Sequence, residues 1–133
     1  MFIRFVSPEI NADSKVAEGI FGAASDVDDD WPLEDFERRQ LREIFRWFNQ
    51  NLRVPASFST SRHHYTNRHG VCWFKDSAKT HLQVIWELAG LLDRCGCLIY
   101  IIKLQWPGKI IYEDEFQVVA VPERDQRQRL VKP

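Results

Sequence analysis

Apolar and polar residues alternate along this chain with two distinct periods, and the longest helical pattern covers residues 76–96. Ala78, Leu82, Ile85, Ala89 and Leu92 form one apolar stripe, and Val84, Leu88, Leu91 and Cys95 form a second beside it. Thr80, Gln83, Glu87, Gly90 and Arg94 are left for a narrow outer strip. A helix that is apolar over most of its circumference is covered on several sides. Asp76 and Ser77 are placed to cap its first amides, and Gly96 to take the left-handed conformation that closes a helix.

The remaining elements come from the same reading. Residues 2–6 carry the aromatic and β-branched side chains of a short strand, which Pro8 is expected to end. Asn11 or Asp13 then caps a helix with Val16, Ala17, Ile20, Phe21 and Ala24 on one face, and residues 26–30 read as an acidic, solvated turn. Pro32 suits the first turn of a second helix whose buried face is Leu33, Phe36, Leu41, Ile44, Phe45, Phe48 and Leu52. Arg38, Arg39, Arg42 and Arg46 lie outside that face, sharing the surface with Glu37 and Glu43 as ordinary solvated charge. Residues 55–70 show no period and form the longest loop.

Residues 71–74 and 97–104 read as strands on either side of the central helix, a βαβ unit that implies a parallel pair. The second is nearly all apolar, the mark of a strand covered on both faces. Pro107-Gly108 suits a type II turn, so residues 110–112 return antiparallel as a C-terminal β-hairpin; residues 116–121 resume the strand pattern after Glu113-Asp114-Glu115. Together these elements predict one α+β domain over residues 1–122, a mixed sheet of four to five strands with three packed helices. Residues 123–133 are expected as a charged, mobile tail.

Composition narrows the function classes. The 133 residues carry a net charge of −1, so no global charge draws the chain to nucleic acid or to an anionic membrane. No apolar run is long enough to span a bilayer, and the N-terminus lacks the pattern of a signal peptide. Three cysteines, Cys72, Cys95 and Cys97, are expected as free thiols in a cytoplasm.

Three groups of residues carry candidate chemistry. Arg62, His63, His64, Arg68 and His69 concentrate positive charge in the long loop and suit a small anionic ligand. His63, His64, His69, Cys72 and His81 could supply metal ligands in number, but their spacing matches no standard zinc pattern, so no metal and no cofactor is expected. His81 on an apolar stripe reads as a hydrogen-bonded core histidine. Glu113 and Glu115 fall on one side of a strand, where paired carboxylates can do acid–base work or can simply mark an exposed turn.

Two resemblances add to this. Trp47-Phe48-Asn49, Pro55, Phe58, Cys72-Trp73-Phe74-Lys75-Asp76, His81, Trp86-Glu87-Leu88, Pro107-Gly108, Tyr112-Glu113-Asp114-Glu115 and Gln117-Val118-Val119-Ala120 resemble a family of short bacterial proteins of unassigned function. That resemblance implies a bacterial cytosolic protein and supplies no activity. Phe58-Ser59-Thr60-Ser61 and Glu113-Asp114-Glu115-Phe116-Gln117-Val118 are similar to the Ser-Thr-Ser and Glu-x-Glu motifs of ADP-ribosyltransferases. The similarity implies Glu115 as a catalytic glutamate and Arg4 as the strand arginine.

Two readings therefore stand: a non-enzymatic module for a protein partner or small anionic ligand, and a small enzyme using Glu115, Glu113 and His81. If the loop holds an anion, binding weakens with salt and above pH ~6.5, where histidines lose their charge. Arg62→Ala combined with Arg68→Ala should abolish phosphate or nucleotide binding while Glu115→Gln leaves it. Equal titrations of wild type and the double variant would exclude the loop.

Overall fold

The computed structural model describes residues 1–10, 16–54 and 70–131, with only the backbone of 127–129. The elements are β1 (Phe2–Ile10), β2 (Ala17–Gly19), α1 (Ile20–Asp30), α2 (Asp35–Asn51), β3 (Val71–Lys75), α3 (Lys79–Arg94), β4 (Tyr100–Leu104), β5 (Lys109–Glu113), β6 (Gln117–Val121) and α4 (Arg124–Val131). The α+β class holds, but among the described residues the sheet has six strands and is antiparallel, not a mixed sheet of four to five.

Every strand pairing is antiparallel. Phe2 and Ile3 bridge both Lys75 and Phe74 of β3 and Leu104 and Lys103 of β4, so β1 lies between those two strands. Both run antiparallel to β1 and hence parallel to each other. The βαβ unit is present, but β1 occupies the place where its strands were expected to touch. The hairpin also differs: β4 pairs with β1, while β5 pairs with β6. Pro107-Gly108 therefore starts a crossing of the sheet. Gly108 has φ +113°, and a Cβ there would run into the carbonyl oxygen of Val121. Glycine is demanded both by the turn and by this close approach.

Several boundaries move for tertiary reasons. β1 continues past Pro8 to Ile10 because its second half pairs with β2, and the register is irregular between Val6 and Ile10. Proline, lacking an N–H, is tolerated at such an irregularity. Ala17 belongs to β2, and the helix starts only after Gly19. Residues 26–30 are helical, not a turn: Asp28 accepts from Arg38 at 2.7 Å and lies 3.7 Å from Arg42. That pair fastens α1 to α2 and offsets aspartates at an unfavourable helix end. Asp76 caps nothing on α3, whose N-cap is Ala78; its carboxylate lies 3.4 Å from the N-terminal amine. The other end of α3 behaves as read. Gly96 has φ +95°, and the Gly96 and Cys97 amides donate to the carbonyls of Asp93 and Leu92, a Schellman closure.

Cross-strand neighbours project to the same side of a sheet, which separates two cores. On one side Phe5 and Phe74 pack with α1, α2 and α3. On the other, Val71, Trp73, Val118 and Ala120 pack with Val16 and with Leu130 of α4. The stretch expected as a mobile tail thus forms a helix, with Leu130 1% exposed. The Trp73 indole N–H is buried here without an acceptor among the described residues. Among those residues, no helix is long and apolar enough to cross a membrane.

Ile85, Leu88, Leu91 and Leu92 of α3 are buried, whereas Ala89 is only partly covered and Trp86 is exposed. Leu88→Ala should cost about 2–5 kcal/mol, the usual penalty for truncating a buried leucine. Chemical denaturation of the two proteins measures it, and a loss below ~1 kcal/mol would mean that the site is not packed as described.

Candidate functional site

Polar side chains from three elements converge on residues 51–54, where the chain leaves α2. The β5–β6 turn is organised by Asp114. Its Oδ1 accepts from the amides of Phe116 at 2.9 Å and Gln117 at 3.1 Å. Its Oδ2 accepts from the Tyr112 hydroxyl at 2.8 Å and from Gln117 Nε2 at 3.0 Å. Gln117 Nε2 also donates to the Arg53 carbonyl at 2.7 Å, tying the turn to the exit of α2. His81 of α3 reaches the same segment, its Nε2 2.8 Å from the Asn51 carbonyl. A carbonyl only accepts, so Nε2 carries the proton. The imidazole lies against Phe116 at 4.1 Å and Trp47 at 5.0 Å between ring centroids.

Two adjoining cavities flank this segment. The inner one, about 270 Å³, is walled by Phe21, Phe45, Phe48 and Phe74, with Cys72 and Gln117 behind. The outer one, about 470 Å³, is lined by residues 49–54 with Asp114, Glu115 and Phe116. Asn49, Leu52, Arg53 and Val54 line both, so an aromatic chamber opens beside a more polar one. Phe21 meets Phe48 edge to face at 4.9 Å, and both make tilted contacts with Phe74, at 6.3 and 6.4 Å. An apolar cavity with a few converging polar groups is the usual form of a small-molecule site.

Protonation bears on which chemistry is open. Burial would raise the Asp114 carboxyl, but hydrogen bonds from Gln117, Phe116 and Tyr112 outweigh it and hold the group below its ordinary value. Burial pushes the Cys72 thiol up to about 11, only partly opposed by Arg4. Burial and the hydrogen bond to Glu37 raise Cys95 to about 11, and burial raises Cys97 as well. All three cysteines are free thiols. At neutral pH they are protonated and poor nucleophiles.

The residues expected to carry chemistry have separate environments. Glu113 is held by Lys75 Nζ at 2.6 Å. Glu115 is exposed on the turn and lines the outer cavity. His81 is buried and bonded to backbone. Arg4 donates to the carbonyls of Cys72 at 3.0 Å and Ala17 at 2.8 Å. These four do not join in one hydrogen-bonded constellation. Arg62, His63, His64, Arg68 and His69 lie outside the described residues, as does the Ser-Thr-Ser segment. Among the described residues, no group of three or more His, Cys, Asp or Glu side chains could hold a metal ion. Nothing in the sequence marked Arg53, Asn49, Phe45 and Gln117 as members of one site, because their proximity arises only when the end of α2 meets β3 and β6. Asp114 had a local one: an aspartate two residues before an amide it can cap is a turn pattern.

Comparisons with protein-family models, with curated proteins and with solved structures find no match to this chain.

The depressed Asp114 carboxyl has a defined pH signature. A group with a folded value below its unfolded one stabilises above the unfolded value, near 3.9, and that stabilisation fades as pH falls through the folded value. Asp114→Ala should cost about 2 kcal/mol at pH 7, since it strips the acceptor from four donors. The gap to wild type should narrow below pH ~4. A pH-independent gap in urea denaturation would show that the carboxylate charge plays no part.

Proposed function

We propose that this chain is a bacterial, cytoplasmic, non-enzymatic module that binds a small anionic ligand with an apolar ring. The aromatic chamber opening onto Arg53 carries this reading. The chamber suits one ring system by volume and wall chemistry, and Arg53, an exposed residue in its lining, brings a guanidinium of the kind that binds a carboxylate, sulfonate or phosphate. The segment that follows Val54 in sequence carries Arg62, His63, His64, Arg68 and His69, a run rich in groups that suit an anion. Binding is favoured over catalysis because two of the three candidate acid–base groups are occupied, Glu113 by Lys75 and His81 by Asn51, as is Asp114 by four donors, while Glu115 stands exposed on the turn. The protonated thiols agree with this and, being free, with a reducing cytoplasm. The bacterial origin is proposed on the sequence resemblance alone.

Anilinonaphthalene sulfonate, an apolar anion that fluoresces when shielded from water, is a direct probe. Arg53→Gln should weaken its binding about tenfold or more, the loss of one charge-assisted hydrogen bond. Phe45→Ser should weaken it similarly, and Glu115→Gln should leave it unchanged. Thermal unfolding of each variant guards against signal from loosened structure. Unchanged binding in both Arg53→Gln and Phe45→Ser would refute the site, and turnover of NAD abolished by Glu115→Gln would replace this reading with the transferase one.

A further inference from the structure

Among the described residues, the three-residue β2 and two five-residue strands, β4 and β5, each pair with a single neighbour and lie at edges of the sheet. Exposed edges carry unpaired N–H and C=O groups, and proteins normally protect them with charges, proline or bulges. β5 is protected: it begins at Lys109, ends at Glu113, and has a register irregularity between Ile110 and Tyr112. β4 is not. It pairs with β1 in unbroken register from Tyr100 to Leu104, contains no proline, and has Lys103 as its single charge. Its outer side is apolar, with Leu98 55% and Tyr100 41% exposed and Ile101 also open. On the helical side stands Trp86, 58% exposed. Its ring meets buried Phe5 edge to face at 5.3 Å, and Phe5 is the cross-strand neighbour of Ile101. A fixed, exposed indole beside an unguarded strand edge is the composition of an interface centre.

We infer that β4 pairs antiparallel with β4 of a second copy of this chain, about a two-fold axis through Ile101 perpendicular to the sheet. Such an axis keeps the helical side of one sheet next to the helical side of the other. Ile101 then meets Ile101, Tyr100 meets Ile102, Leu98 meets Leu104, and Ile99 meets Lys103. No charge faces a like charge, and the Lys103 stem covers an isoleucine. The two Trp86 rings flank the axis on one side. A charged foreign strand would find only Lys103 to pair with, whereas the edge complements itself without any further charge.

Sedimentation of the full chain over a range of concentrations tests this. The wild type should associate reversibly to a dimer. Ile101→Lys places two ammonium groups face to face and should weaken association at least about tenfold, and Trp86→Ser should weaken it too. Circular dichroism establishes that each variant is folded. Independently, hydrogen exchange of the wild type should show amides of residues 98–104 slowing as concentration rises. A monomer at the highest soluble concentration overturns the inference, as does a dimer whose β4 amides show no such protection. Protection of β4 only upon adding an unrelated extended peptide would give the edge to a different partner and overturn it equally. The readout is independent of the aromatic chamber, so either conclusion can fail alone.

Discussion

One guanidinium sits where the sheet divides. β1 pairs with β3 only through Phe2 and Ile3; beyond that point the same side of β1 is taken by β2, from Val6 onward. Arg4 lies between the two pairings and donates to a carbonyl on each, Cys72 and Ala17. Without it, two strand carbonyls at the fork would lose their donor. The placement is costly: burial lowers the arginine to about 10, with Cys72 and Glu18 opposing the shift. The side chain remains charged at neutral pH, and the fork keeps its bridge. An arginine that the sequence suggested for catalysis is thus committed to holding the first strand between its neighbours.

The position of β1 governs what lies above and below. Because it separates β3 from β4, the helix joining them packs against β1 itself, and Phe5 enters the core of Ile85, Leu88 and Leu92. The opposite face is closed by a short terminal helix anchored at Leu130. The same insertion leaves β4 at the rim. Placing the first strand in the centre of the sheet and leaving an apolar strand at its edge are one topological fact.

The exit of α2 links stability with the candidate site. Gln117 and His81 are both buried polar groups, and each satisfies a backbone carbonyl of residues 51–53. These bonds hold the wall shared by the two cavities. Preorganised walls reduce the ordering cost of binding, which is the advantage of building a site on rigid elements. The buried histidine and the acidic turn serve the chamber by positioning its rim.

The existence and type of most elements were legible locally, because burying one face of a helix or strand imposes its period on the chain. The stripes around Leu88 and the Gly96 closure come from that, as does the α+β class; the second helix was legible in kind, but it starts at Asp35, after Pro32, and leaves Phe36 65% exposed. Pairing partners were not legible. Residues 97–104 look like a strand covered on both faces, yet β4 lies at the edge, since an apolar run records what can be buried and not what arrives to cover it. Pro107-Gly108 specified a turn but not its destination, and a pattern of apolar residues does not encode which strands lie side by side. The tail's charge hid Leu130, a single side chain that only the far face of the sheet could recruit. Glu113, Glu115 and His81 were visible as chemically capable residues. Whether they work or are consumed by Lys75, by solvent and by a carbonyl is a matter of distance, and distance is set by tertiary packing alone.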